Sequence, residues 1–201
     1  MTKKSYLRKE YIELRNGITF DEVDNAEINL LSIVRNNSEL YANKKVSCYW
    51  SIGKELPTHE LVLMLSGIGS EVYLPKMIDN SKKLKFVKID GQLSLRENNL
   101  GISEPIGNTE IDPNELDIIF LPCVCFDEKG YRIGMGKGYY DYSLAGIDSS
   151  SIELIILAHE FQKIENCLPE DHDIKAHMCI TEKTIYLSLI HISEPTRLRS
   201  I

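Results

Sequence analysis

Residues 130–141 read GYRIGMGKGYYD, with Gly134, Gly136 and Gly138 alternating around Met135 and Lys137. Ordering a glycine costs roughly 0.5–1 kcal/mol relative to alanine, so three within five residues mark a backbone that bends sharply or is closely approached. The cluster follows an apolar run and a hairpin expected at Asp127-Glu128-Lys129-Gly130, and it leads into a short helical pattern from Tyr139 to Leu144. Free N–H groups and a helix start then converge where an anion can sit. Arg132 and Lys137 add two cations. The planar fork of the first suits phosphate oxygens, and the ammonium of the second suits a transferring phosphoryl group. A strained corner without a ligand is the alternative for such a cluster. Two common nucleotide motifs are excluded: Gly138 follows Lys137 where a Walker A loop needs a hydroxyl, and Tyr139 stands where the dinucleotide fingerprint needs glycine.

Elements must position this segment. Leu7, Tyr11 and Leu14 recur at helical steps within 3–16, closed by Asn16-Gly17, and Lys4 and Arg8 lie four apart on one face where both can reach one phosphate. A solvated face is the plainer reading of that pair. Thr19 and Glu22 have capping-box spacing before a second helix, whose apolar face is Phe20, Val23, Ala26, Leu30, Ile33 and Val34, up to Asn36-Asn37. Lys45 to Ser51 reads as a strand, Thr58 to Ser66 as a helix, and Glu71 to Leu74 as a strand stopped by Pro75. This alternation predicts a mainly parallel α/β sheet in a single domain. Strands at Leu84–Ile89 and Gln92–Leu95 are expected to form a hairpin around Asp90-Gly91, followed by a long surface connection over Gly101–Pro113. Leu116–Leu121 and Ile152–Ala158 read as central strands covered on both faces.

Composition bounds the function. A net formal charge of −7 offers no basic field for nucleic acid, and no apolar run approaches a membrane span. A cytoplasmic protein that meets neither nucleic acid nor membrane is expected. The five cysteines (Cys48, Cys123, Cys125, Cys167, Cys179) lack disulfide or zinc spacing. Cys123 and Cys125, two apart, read as buried hydrophobes on one face of a strand.

Phe126-Asp127-Glu128-Lys129-Gly130 followed by Arg132-Ile133-Gly134 and the glycine repeat through Tyr139-Tyr140-Asp141 resembles the signature of the 5-formyltetrahydrofolate cyclo-ligase (methenyltetrahydrofolate synthetase) family. Smaller matches keep family order: Lys4-Ser5-Tyr6-Leu7-Arg8, Ser51 and Glu55 before Thr58, Leu74-Pro75, Glu104-Pro105, Leu121-Pro122, Gln162, Leu168-Pro169, His172-Asp173 and Thr181-Glu182. The resemblance implies a three-layer α/β/α, Rossmann-like fold of the NagB/RpiA/CoA-transferase-like kind. It also implies a monomeric ligase that closes 5-formyltetrahydrofolate to 5,10-methenyltetrahydrofolate with ATP and Mg²⁺, through a phosphorylated formyl intermediate, releasing ADP and phosphate.

By the same resemblance, Lys137 and Arg132 are catalytic. ATP is held by Lys4, Ser5, Tyr6, Leu7 and Arg8 together with Arg132, Ile133, Gly134, Met135, Gly136, Lys137, Gly138, Tyr139 and Tyr140. Folate is held by Trp50, Glu55, Met135, Gly136, Lys137, Gly138 and Tyr139, and Mg²⁺ by Asp141 and Asp173. Read alone, the two acids are surface carboxylates, Glu55 is a helix-entry residue, and Trp50 is a core aromatic. His172 is left structural because imidazole suits Mg²⁺ poorly, and His59, His159 and His177 have no partner pattern. Many relatives carry a polar residue where Met135 stands, which predicts weaker hold on phosphate or on the glutamate tail. A non-catalytic nucleotide or folate binder, and a ligase for another ATP-activated substrate, are the rival readings. The segment Leu187 to Arg197, LSLIHISEPTR, is similar to the translation of a sequencing-library adapter, so 187–201 is expected to be a non-native tail. A terminal strand is the alternative, since LSLIHI alternates.

Overall fold

A computed structural model describes residues 2–89, 93–147 and 151–188. Helix α1 (Lys3–Gly17) begins at Thr2, whose side chain accepts from Ser5 N, and α2 (Phe20–Asn36) begins at the expected capping box of Thr19 and Glu22. Strand β1 (Lys45–Ser47), helix α3 (His59–Gly67) and strand β2 (Glu71–Met77) follow. Next come β3 (Leu84–Lys88), β4 (Leu95–Glu97), β5 (Ser103–Pro105) and β6 (Glu110–Ile111). The second half contains β7 (Ile118–Pro122), β8 (Cys125–Phe126), β9 (Arg132–Ile133), α4 (Tyr139–Leu144), β10 (Glu153–Leu157), β11 (Met178–Ile180) and β12 (Ile185–Leu187).

Eight strands form one sheet in the order β12-β11-β10-β7-β1-β2-β3-β6. The five from β11 to β2 run parallel, and β12, β3 and β6 join antiparallel at the two edges. Side chains alternate across the sheet. Ile118 and Phe120 of β7 pack with Leu30 and Val34 of α2 and with Leu61 and Leu65 of α3. Ile119 and Leu121 face the other way, onto Leu144, Tyr139 and Tyr140 of α4. Helices therefore cover both faces, which is why β7 and β10 are continuously apolar. No helix among the described residues is long and apolar enough to cross a membrane.

Several sequence expectations are corrected. Leu14 and Phe20 are 50% and 70% exposed, because α1 docks on the β8–β9 hairpin through Leu7 and Tyr11 and buries Arg15 instead. Pro75 does not stop β2. It lies beyond the last β1 pair, where β2 needs no N–H on that side. Strand β3 pairs with β2 and β6 rather than with β4, since Phe86 and Val87 need burial inside the sheet. Strand β4 pairs with β5, and the Asn98 side chain closes that turn by accepting from Leu100 N and Ile102 N. The connection over 101–113 thus contains two strands; the Asp90-Gly91 turn lies outside the described residues. All five cysteines are free and buried, but Cys123 and Cys125 belong to different clusters because the chain leaves β7 before Cys123.

Candidate active site

A cleft of about 820 Å³ opens at the carboxyl ends of β1, β2 and β7. Strand order reverses there, with β2 on one side of β1 and β7 on the other, which is where open α/β sheets bind ligands.

The hairpin below the glycine segment is fixed first. Asp127 Oδ1 accepts from Lys129 N and Tyr131 N, and its Oδ2 accepts from Cys167 N. Gly130 turns the hairpin at φ 89°, and a Cβ there would stand 2.2 Å from Ala176 O. Arg132 emerges from this anchor almost buried. Its guanidinium donates to Ile174 O and to Asp141 Oδ1, both at 3.0 Å, and Ile174 N donates to the same carboxylate oxygen. The residue read as a phosphate fork thus also clamps the glycine turn to α4 and to the 170–174 segment.

Gly136 and Gly138 adopt φ of 90° and 72°, and Gly138 forms the N-terminal cap of α4. Both positions need glycine on conformation alone. Arg8 lies across this turn: its Nε donates to Gly134 O at 2.7 Å, and its Cζ lies 3.1 Å from where a Gly136 Cβ would stand. A Cβ at Gly134 would meet nothing within 4 Å. Lys137 is exposed and makes no hydrogen bond or ion pair with any described residue. Its ammonium is thus available to a ligand.

Lys4 closes the same end of the cleft, donating to Asp173 Oδ2 at 2.6 Å and to Glu170 Oε1 at 3.1 Å. Burial opposes charge on both sides of the pair. The hydrogen bonds outweigh it, so the Lys4 ammonium is held above its ordinary pKa and the Asp173 carboxyl below its own. Among the described residues the hydrogen bonds to these carboxylates fall on Asp141 Oδ1 and Asp173 Oδ2, leaving Asp141 Oδ2 to a ligand, and Asp173 Oδ1 with the exposed His172 Nε2 at 3.9 Å. No group of three metal-ligating side chains exists among the described residues. These two acids fit Mg²⁺ only as partial ligands beside phosphate oxygens and water, which is its usual mode.

The deeper wall is built from the β1–α3 loop. Glu55 Oε2 accepts from Ile52 N at 3.1 Å and Oε1 faces Arg15 at 3.3 Å. Burial pushes the Glu55 carboxyl up, against the Arg15 charge and the Ile52 N–H. Trp50 stacks on His59, with ring centroids 4.0 Å apart, while still lining the cleft. Burial raises the Tyr140 phenol, and its hydroxyl is buried without a partner among the described residues although Tyr140 lines the cleft. A buried hydroxyl left unpaired is costly, and a polar ligand would satisfy it.

The structure gathers Lys4, Arg8, Trp50, Glu55, Arg132, Ile133, Gly134, Met135, Gly136, Lys137, Gly138, Tyr139, Tyr140, Asp141 and Asp173 around one cleft. Ser5, Tyr6 and Leu7 do not line it: Ser5 donates from Oγ back to Thr2 O in the first turn of α1, Tyr6 is 59% exposed and Leu7 packs under the hairpin. Met135 is 58% exposed at the rim. His159 and His177 hold backbone, and His172 is exposed beside Glu170. Arg15 escaped the sequence reading. Its signal was present, since positions 4, 8 and 15 fall within about 40° of each other at 100° per residue.

A doubly covered α/β sheet, open at its switch point onto a glycine turn with cations beside it, is an arrangement suited to an anionic small molecule. The model of the 5-formyltetrahydrofolate cyclo-ligase family matches residues 1–182, and the chain belongs to that family of enzymes. It is 34% identical over 173 residues to 5-formyltetrahydrofolate cyclo-ligase of Haemophilus influenzae, covering 85% of this chain and 92% of the relative. Against the Escherichia coli K12 enzyme of the same name it is 33% identical over 144 residues, covering 70% and 79%. The solved 5,10-methenyltetrahydrofolate synthetase of Aquifex aeolicus superposes with a TM-score of 0.80 at 28% identity, covering 99% of this chain and 97% of that one.

Proposed function

We propose that the protein converts 5-formyltetrahydrofolate to 5,10-methenyltetrahydrofolate at the expense of ATP, with Mg²⁺, releasing ADP and phosphate. The observation that carries this reading is that Lys4, Lys137 and Arg8, the last bonded across the glycine turn, line one cleft with that turn, the buried Glu55 and a Tyr140 hydroxyl that has no partner among the described residues. A formyl amide is a poor electrophile and its oxygen a poor leaving group. Folate N10 can close the ring only if that oxygen leaves as phosphate, after transfer of the ATP γ-phosphoryl group. Such transfer needs positioning and charge neutralisation more than proton relays.

Each residue then has a task. Lys137, unpaired and exposed, gathers charge on the transferring group. Arg8 and the Gly134–Gly138 turn hold neighbouring phosphate oxygens, and Asp141 and Asp173 each present a carboxylate oxygen to Mg²⁺. Glu55 accepts from the pterin or N10 side of the folate, and Trp50 and Tyr139 flank the flat ring. The same reading makes the protein a monomeric, cytoplasmic enzyme of small molecules.

Purified protein mixed with 5-formyltetrahydrofolate, ATP and Mg²⁺ should develop the near-ultraviolet absorbance of the methenyl product. ATP binding by folded protein without that product would favour a binding protein or a ligase for another substrate.

A further inference from the structure

We infer that Arg15, which does not itself line the cleft, is a positioning residue that aims the Glu55 carboxylate at the folate. The inference rests on the proposed folate role of Glu55.

The geometry ties three elements together. Arg15 comes from the last turn of α1, and its side chain is 9% exposed against 15% for Glu55. Its NH1 lies 3.3 Å from Glu55 Oε1 and 3.4 Å from Cys123 O, at the end of β7. Gln162 donates to the same carbonyl at 3.2 Å, so the anchor is itself fixed. Ile52 N occupies the other carboxylate oxygen. With both oxygens held, the carboxylate has one orientation. Around it stand Tyr49, Cys123, Tyr140 and His159. Burial keeps the first three protonated, and His159 is biased by burial toward its neutral form. Among the described residues Arg15 is the cation in ion-pair contact with Glu55. A buried carboxylate without such a partner takes up a proton and loses its value as an acceptor.

Lys4, Arg8 and Arg15 thus share one stripe of α1 and reach Asp173, Gly134 and Glu55 respectively. One helix carries contacts to both halves of the cleft.

The test measures 5-formyltetrahydrofolate and ATP binding separately, together with a carbon-detected NMR titration of Glu55 in the ligand-free protein. Arg15→Met should weaken folate binding by about 10- to 100-fold at neutral pH, leave ATP binding unchanged, and move the Glu55 titration to higher pH. Arg15→Lys should recover part of both effects, and it carries the test if Arg15→Met does not fold. In a Glu55→Gln background the Arg15 change should add little further loss of folate. Wild-type folate affinity in a folded Arg15→Met, or an unmoved Glu55 titration, would overturn the inference. A wild-type protein that binds no 5-formyltetrahydrofolate would instead overturn the folate reading, while the NMR titration still decides whether Arg15 governs Glu55.

Discussion

Arg132 and Asp141 join the two ends of the glycine turn. The guanidinium at the turn's start donates to the carboxylate at 3.0 Å in the first turn of the following helix, and it is 5% exposed. Neither residue can therefore be read as a ligand contact alone. Asp141→Asn leaves the nearly buried Arg132 charge without its partner, and a stability loss of about 2 kcal/mol is expected, less than for a fully buried pair. Thermal melts without ligand will report it. An Asp141→Asn protein that melts like the wild type but loses Mg²⁺ dependence would confine Asp141 to the metal.

Lys137 stands in the opposite situation, exposed and without a partner among the described residues. Loss of a preorganised charge at a transferring group typically lowers kcat by ~10²–10³. Lys137→Ala should show that loss with little change in melting temperature or folate binding. Gly136→Ala should lower the melting temperature as well as turnover, because its φ of 90° and the Arg8 guanidinium 3.1 Å from the new Cβ strain the turn itself. Steady-state kinetics beside melting curves separate the two, and wild-type turnover for Lys137→Ala would remove it from the mechanism.

Acid should act through Asp173. Its carboxyl titrates below the usual range in the folded protein, so the stabilisation from Lys4 and Glu170 N is present above the unfolded carboxyl value of about 3.9 and is lost as pH falls through the lower folded value. The gap between urea melts of wild type and Asp173→Asn should be steady above about pH 4 and close as pH falls below it. The raised Lys4 value adds stability that is complete below its ordinary range near 10.5 and is lost only in strong alkali. A constant gap between the two proteins across the acid range would exclude this linkage.

The elements beside the site were legible because local chemistry decides them. The Thr19 capping box rests on residues three apart, the apolar runs of β7 and β10 announce their burial in their own composition, and the positive-φ glycines of the turn are set by their own backbone. What escaped was set by distant partners. Pro75 sits in a strand because β1 ends before it, and β4 turns to β5 because the Asn98 side chain closes the loop over 98–102. Ser5, Tyr6 and Leu7 lie within a motif that faces the cleft only through its first and last residues. The helix period explains this, since only positions 4 and 8 lie one above the other. Arg15 was overlooked because a lone basic residue near a helix end reads as solvated until Glu55, forty positions away, is brought beneath it.

The C-terminal boundary can be tested in the same terms. Leu187 pairs with Met178 in β12, and Ser188 is nearly buried, donating from N to His177 O and from Oγ to Lys129 O, both at 2.9 Å. Lys129 belongs to the hairpin that launches Arg132, so these contacts brace the site from behind. We propose that residues 189–201 are a non-native tail and contribute nothing beyond them. Shortening the chain to residue 188 should preserve melting temperature and turnover. Shortening it to residue 186 should cost about 1–2 kcal/mol, from two lost hydrogen bonds and one lost strand pair. A chain ending at 188 that melted well below the full-length protein would show that residues beyond Ser188 pack against the domain.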